Sequence, residues 1–360
     1  MSLSDAELLA AWEASMTVTN PGAWSTPVAQ LTKYTGSQAT EYANRFRLYG
    51  RYQQWLTPGA PFKLGIAFDS WGAWPEFKTA AATTTVRIWP NPSLEEETAR
   101  WSTIPAFPLT IPWNPAWLTQ LPSGSDRGCL VTYPDGTGYE ILALHRPILF
   151  EEFALGVATE GAYQAGDLMC DQITWRKLDN IREYNGRGMG EECKITGLLT
   201  GTDLLGTDIK HALAVVGFNL ETGPSANYAD PATRVEHPGS TNTFTGYHPN
   251  APDSRLIPQG TRLYLNMTST AMNAWATKKW PSSGDATLKK TGLKLARCLK
   301  YYGIIIGAES GHGDPLIEAT GRYGTDSATF MKSGLSSAAV CATVLDGLDW
   351  TKLRVLTPAR

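Results

Sequence analysis

Four side chains of the types used to cleave acidic polysaccharides fall within one stretch of this sequence: His211, Gln259, Arg262 and Tyr264. A lyase needs a base for the proton alpha to a uronate carboxylate, and a cation that neutralises the carboxylate as charge develops. His211 is the candidate base and Arg262 the candidate clamp, with Gln259 and Tyr264 as polar partners. Strand alternation places Arg262 and Tyr264 on one face. A plainer reading competes with this one. His211 opens the apolar run Ala212-Leu213-Ala214-Val215-Val216, where a buried histidine bonded to a neighbouring loop serves equally well.

Acids and aromatics suggest two further chemistries. Asp69, Asp126, Asp135, Glu309 and Asp314 lie near the ends of strand-like segments. A glycosidase needs two carboxyls about 5 to 10 Å apart, and no spacing here selects such a pair over turn-forming acids. Nine of the 13 tryptophans precede residue 118. Sugar rings stack on exposed aromatic faces, so Asp69, Trp71 and Trp74, with Asp126, form a candidate glycan-binding set. Burial in a core or an interface is the alternative use of tryptophan. Neither a metal nor a cofactor is expected. His312, with Asp314 and Glu309, matches no standard metal-ligand spacing. His237 and His248 lie in a Pro/Asn/Thr-rich loop. Gly186-Arg187-Gly188-Met189-Gly190 follows a charged segment rather than a strand, so it is not a dinucleotide loop. The chain also lacks a P-loop and a G-x-S-x-G elbow.

Composition narrows the classes further. The 360 residues are 42% hydrophobic and only 18% charged, with a net charge of −3 from 31 basic and 34 acidic residues. Such a chain buries a sizeable core without needing disulfides or metal. It has no basic run for nucleic acid or for a membrane surface, and no apolar stretch long enough to span a bilayer. The five cysteines are scattered, without C-x-x-C spacing, and read as small buried hydrophobes. The N-terminus Met-Ser-Leu-Ser-Asp-Ala has no basic start or apolar run of a secretory signal. The expectation is a chain first folded in a cytoplasm.

The elements that must position these groups are mostly strands and turns. Residues 4–16 have capping-box spacing at Ser4 and Glu7, with Leu8, Leu9, Trp12 and Met16 on one helical face. Residues 1–20 are therefore read as an N-terminal helix or docking segment, and 21–360 as one domain. Strand-like runs follow at 63–70 and 83–89, then a proline-rich loop at 103–122. Residues 128–133 and 138–144 flank Pro134-Asp135-Gly136-Thr137, which is hairpin chemistry. Loop-rich regions are expected at 160–190 and 221–258. Arg262, Tyr264 and Asn266 alternate with Leu263, Leu265 and Met267, as a strand with one wet face does. Leu288, Gly292, Leu295, Leu299 and Tyr302 trace the apolar side of a helix ending at Gly303. Lys289, Lys290, Lys294, Arg297 and Lys300 are expected on its other faces. The predicted class is mainly β: a jelly-roll β-sandwich, concanavalin-like, with long loops and two or three short helices.

Several motifs occur in a recognisable order: Ala23-Trp24-Ser25-Thr26-Pro27-Val28, Gly65-Ile66-Ala67-Phe68-Asp69, Ser125-Asp126-Arg127 with Val131 to Glu140, Ile209-Lys210-His211-Ala212-Leu213, Ile257-Pro258-Gln259-Gly260-Thr261-Arg262-Leu263, and Lys300-Tyr301-Tyr302-Gly303-Ile304. This order resembles a family of jelly-roll proteins from actinobacterial genomes and the phages that infect them, over roughly residues 21 to 345. In bacteria its members resemble secreted surface proteins; in tailed phages, minor tail or adhesin proteins. Without a secretory signal, the phage version is expected. The resemblance then implies a virion protein assembled in the host cytoplasm, with an extracellular location as the alternative. Its expected partners are host cell-surface polysaccharide and other tail subunits, with a homo-oligomer as a further option, and without nucleic acid or membrane insertion. The alternative function is a cell-wall polysaccharide lyase or glycoside hydrolase on the same scaffold.

Overall fold

The computed structural model describes residues 26–31, 61–69, 72–90, 108–122, 127–135, 137–144, 164–170, 172–177, 197–217, 259–309 and 315–356, with isolated positions at 40, 43, 44, 46, 47, 146 and 257. The predicted helix over 4–16 and its docking role, Trp71, Asp126, His237, His248, His312, Asp314 and nearly all of 221–258 lie outside the described residues.

Many strands in mixed sheets, with a few mostly short helices, make up the described fold. In chain order the strands are β1 (Gly65–Ile66), β2 (Glu76–Lys78), β3 (Thr84–Pro90), β4 (Leu109–Trp113), β5 (Cys129–Thr132), β6 (Thr137–Leu142), β7 (Leu168–Cys170), β8 (Gln172–Lys177), β9 (Leu213–Gly217), β10 (Arg262–Leu265), β11 (Ile304–Glu309), β12 (Leu316–Ile317) and β13 (Leu353–Val355). The helices are α1 (Gly201–Leu205), α2 (Ser269–Lys279), α3 (Ala286–Tyr301), α4 (Ser327–Lys332) and α5 (Ala338–Thr343).

The larger core is built on a six-stranded sheet of order β1-β12-β9-β11-β10-β13. Its centre is β11, paired parallel to β9 and antiparallel to β10. Ile304, Ile305 and Ile306 are all fully buried, as a strand covered on both faces requires, and their continuous apolar run reflects that cover. Leu295, Cys298 and Leu299 of α3 and Met272, Trp275 and Ala276 of α2 join the same core. Trp275 and Trp280 meet edge to face there, with ring centroids 5.3 Å apart.

A second core lies between two smaller sheets, β2-β5-β6-β8 and β4-β3-β7. Phe77, Cys129, Val131, Ile141 and Ile173 come from the first, and Val86, Ile88, Ile111, Trp113, Leu168 and Cys170 from the second. Residues of both sheets thus share one apolar cluster. Phe77 stacks on Trp117 at 4.9 Å, and both rings meet Trp113 edge to face. The hairpin is where the turn chemistry put it. Thr132 pairs with Gly138, and Asp135 Oδ1 accepts hydrogen bonds from both the backbone N–H and the hydroxyl of Thr137.

Residues 65–66 and 72–78 stitch the two parts together. β1 belongs to the large sheet, Ala73 bridges to Ala319, and β2 pairs with β5 in the small one.

Three local features depart from the sequence expectations. The proline-rich stretch is not all loop, because β4 runs through Pro112 at the end of its described sheet, where a missing N–H is tolerated. The 160–190 region contains β7 and β8. Parallel pairs, β1–β12, β9–β11, β2–β5 and β3–β7, occur where the sequence suggested successive turn-linked strands. Pairing between strands far apart in the chain leaves no short-range signature.

The reversal from α3 into β11 depends on Gly303. Its φ is +78°, and a Cβ there would sit 2.2 Å from the Leu263 carbonyl oxygen. Gly303→Ala is therefore expected to lower unfolding free energy by at least about 2 kcal/mol. At Gly284, where the nearest atom to a Cβ is 3.5 Å away, the same change is expected to stay within about 0.5 kcal/mol. Urea denaturation of the two variants measures the contrast.

Candidate functional site

The titratable groups of the described residues concentrate around the segment 200–211. Thr200 caps α1: its hydroxyl accepts from the Asp203 N–H, and its own N–H and hydroxyl both donate to Asp203 Oδ2, at 2.9 and 2.7 Å. The same carboxylate oxygen faces His211 Nε2 at 3.3 Å, and the pair keeps about a fifth of its side-chain surface, 19% and 21%. On the other side of the ring, Nδ1 lies 2.8 Å from the Ala212 carbonyl oxygen. Both ring nitrogens thus face acceptors, an arrangement satisfied fully only by the imidazolium. Burial pulls the His211 pKa down, but the Asp203 carboxylate and the Ala212 carbonyl outweigh it and hold it above the ordinary histidine value. Burial likewise pushes Asp203 up, and His211 and Thr200 overcome that to keep it below the usual carboxylate range.

Helix α3 supplies the next layer. Lys294, expected on a polar face, is buried instead, and its ammonium donates to the carbonyls of Leu204 and Gly206 at the C-terminal end of α1. It thereby satisfies carbonyls that a short helix leaves open. Burial lowers its pKa. Arg297 Nε donates to Asp208 Oδ1 at 3.0 Å. The Cys298 thiol donates to the His211 carbonyl at 3.3 Å. Burial raises the Cys298 pKa well above its usual value, with Asp203 adding to the effect, so this sulfur is no thiolate nucleophile. At the other end of α1, the Asp326 carboxylate accepts from the N–H groups of Gly201 and Thr202. Burial pushes its pKa up despite those donors.

The remaining lyase candidates are drawn inward. Arg262 is buried; its Nε and Nη2 donate to the Tyr302 carbonyl at 2.8 and 2.6 Å, and Nη2 also reaches the Thr26 carbonyl at 2.6 Å. Burial lowers its pKa to about 10, which leaves it charged at neutral pH. Arg262 was expected on the wet face of its strand; α3 and its C-terminal turn cover that face. Gln259 is fully buried. Tyr264 is half-buried and pairs across the sheet with Arg354. Burial raises the Tyr264 pKa, with Arg354 pulling the other way. His211 and Arg262 each reach the C-terminal part of α3 separately, the His211 carbonyl accepting from Cys298 and the Arg262 guanidinium donating to the Tyr302 carbonyl.

The expected glycan-binding set is divided. Trp74 is buried, and its indole N–H donates to the buried Glu318 at 3.1 Å. Trp89, Trp113 and Trp117 are buried as well. Asp69 is partly exposed and lies 3.7 Å from Arg322 Nη1. Among the described residues, no group of three or more His, Cys, Asp and Glu side chains is placed to hold a metal ion, and no helix is long and apolar enough to cross a membrane.

Asp203, Asp208, Lys294 and Arg297 were not expected at the site. Only Asp203 had a local signal, its three-residue spacing from Thr200. Compared with protein-family models, curated proteins and solved structures, the chain matches none.

The ion pair has a defined pH signature. The His211 contribution is full below its unfolded value of 6.5 and is lost as pH rises through the higher folded value. That of Asp203 is full above 3.8 and is lost as pH falls through the lower folded value. Wild type should therefore lose stability relative to His211→Gln as pH is raised from about 6.5 through the higher folded value. Urea midpoints of both proteins across this range read the difference; parallel profiles would exclude a charged pair.

Proposed function

We propose that the chain is a virion-associated protein of the minor-tail or adhesin type, a non-catalytic module that contacts host surface polysaccharide, other tail subunits or both. One observation carries the non-catalytic part: the two groups on which a lyase reaction would depend are engaged by the protein itself. A general base needs an unprotonated nitrogen directed at the substrate, and both His211 nitrogens face acceptors, Asp203 and Ala212. A carboxylate clamp needs an accessible cation, and the buried Arg262 guanidinium donates to backbone carbonyls. The virion setting rests on the ordered motifs shared with actinobacterial and phage jelly-roll proteins. In this reading the two smaller sheets are the sandwich that the resemblance leads one to expect. Their parallel pairs set its connections apart from those of an all-antiparallel jelly roll.

Purified protein incubated with actinobacterial cell-wall polysaccharide should release neither new reducing ends nor unsaturated uronates. Antibody raised against it should label purified phage particles by electron microscopy. Product formation by wild type that disappears in His211→Ala would instead establish the lyase alternative.

A further inference from the structure

Helices α2 and α3, with the turn between them, carry a charge opposite in sign to that of the chain. Residues 269–301 hold seven cations and one acid, Asp285, for a net of +6; the whole chain is −3, so everything outside them sums to −9. The fold keeps these cations together, because the end of α2 packs on the middle of α3. A Cβ at Gly292 would lie 2.3 Å from the Trp280 ring.

Four of the seven cations are engaged by the protein. Lys279 donates to the carbonyls of Thr343 and Asp346, and Lys294 to those of Leu204 and Gly206. Arg297 bonds Asp208, and Lys300 lies over the Tyr301 ring, 5.3 Å from its centroid. The other three are Lys278 and Lys290, which are exposed, and Lys289, which is half-buried. Among the described residues they make no hydrogen bond or ion pair. Lys289, Leu293, Arg297 and Lys300 recur at four- and three-residue steps, and each keeps part of its surface in water. They trace one face of α3 about 16 Å long. Lys290 stands beside it, four residues before the buried Lys294. Like charges at that spacing repel, and Lys290 adds to the lowering of the Lys294 pKa that burial begins. Fold stability would be better served by an acid at position 290. A surface that gathers positive charge at a cost to the fold draws a negative partner toward it.

The chemistry of that partner follows from the groups around the lysines. Trp275, Trp280 and Tyr301 are buried, so the aromatic rings of 269–301 are not placed to stack on nucleic-acid bases. The one arginine of the segment is held by Asp208 and offers no open fork. Leu205 and Met331, the large apolar side chains exposed among the described residues, belong to other helices, so these lysines do not rim an apolar protein interface. Lysines act as mobile point charges. They suit a polymer recognised by negative groups along its length.

We propose that Lys289 and Lys290 of α3, with Lys278 of α2, bind an acidic polysaccharide through its negative groups. This rests on the glycan-contacting role proposed above and gives that glycan its charge. The test is native affinity electrophoresis of the full chain through three polymers: the acidic and the neutral fractions of actinobacterial cell-wall polysaccharide, separated by anion exchange, and duplex DNA. The acidic fraction should retard wild type most, and the retardation should fade as salt rises from about 0.1 M to about 1 M. Lys289→Gln with Lys290→Gln should weaken it about tenfold and leave thermal unfolding unchanged. The same change at Lys63 and Lys352, outside the two helices, should leave retardation as in wild type. A Lys289/Lys290 double variant retarded like wild type, or a Lys63/Lys352 variant weakened as much, overturns this site and leaves glycan contact standing. So does retardation by the neutral fraction alone. DNA that retards wild type as strongly as the acidic fraction overturns the choice of a polysaccharide. No retardation by either polysaccharide fraction overturns both the site and the glycan contact.

Discussion

The end of α3 is the joint on which the larger core depends. There the chain must leave a helix and enter the central strand of a sheet within two residues. The left-handed Gly303 makes this possible, and the closeness of the Leu263 carbonyl excludes every side chain from the position. Two carbonyls exposed by the reversal become anchors. That of Tyr302 receives the Arg262 guanidinium, and that of Gly303 receives the Leu213 N–H at 3.1 Å. β9, β10 and β11 are thus brought into register at one point. The buried charge of Arg262 is tolerated because it is hydrogen-bonded there.

Beside it, among the described residues, lies a connected set of charges. Segment 200–211 buries Leu204 and Ile209 in the larger core and is held by polar groups as well: Asp326 at the start of α1, Lys294 at its finish, Arg297 on Asp208, and His211 on Asp203. Each group lost would strand a partly buried partner, at greater cost than the net worth of the bond. His211 and Arg262 are both engaged by acceptors of the protein itself, the one by Asp203 and the Ala212 carbonyl, the other by the Tyr302 and Thr26 carbonyls.

The second core has a different character. Between its two sheets the contacts are apolar, with Phe77, Trp113 and Trp117 at the centre. One ion pair locks its flank: Arg87 and the Trp89 indole both donate to Asp167, which joins β3 to the turn before β7. The run of early tryptophans is thus largely core material among the described residues. Trp74 performs a related task at the boundary between the parts, packing on Leu130 and Leu198 while bonding Glu318.

Features legible in the sequence were those encoded over a few residues. Pro134-Asp135-Gly136-Thr137 specified the β5–β6 hairpin, the four- and three-residue steps specified α3, and Gly303 marked its end. The many strands were legible for the same reason, since turn residues and side-chain periods act locally, but the described residues form five α-helices where two or three short ones were expected. The candidate site was legible only in part. His211 was singled out, yet its carboxylate partner was passed over, and Arg262, Lys294 and Trp74 were placed on the wrong side of their surfaces. Whether a charge or an indole faces water depends on what a distant segment lays over it. Thr26 covers Arg262 from 236 positions away, and Glu318 meets Trp74 from 244. The parallel pairs, the two-core division and the pairing of Asp69 with Arg322 likewise join residues far apart in the chain. The sequence by itself therefore determined the turns, caps and periodic elements. Tertiary structure alone decided which polar groups are held inside and which are presented, because burial is a property of the assembled chain.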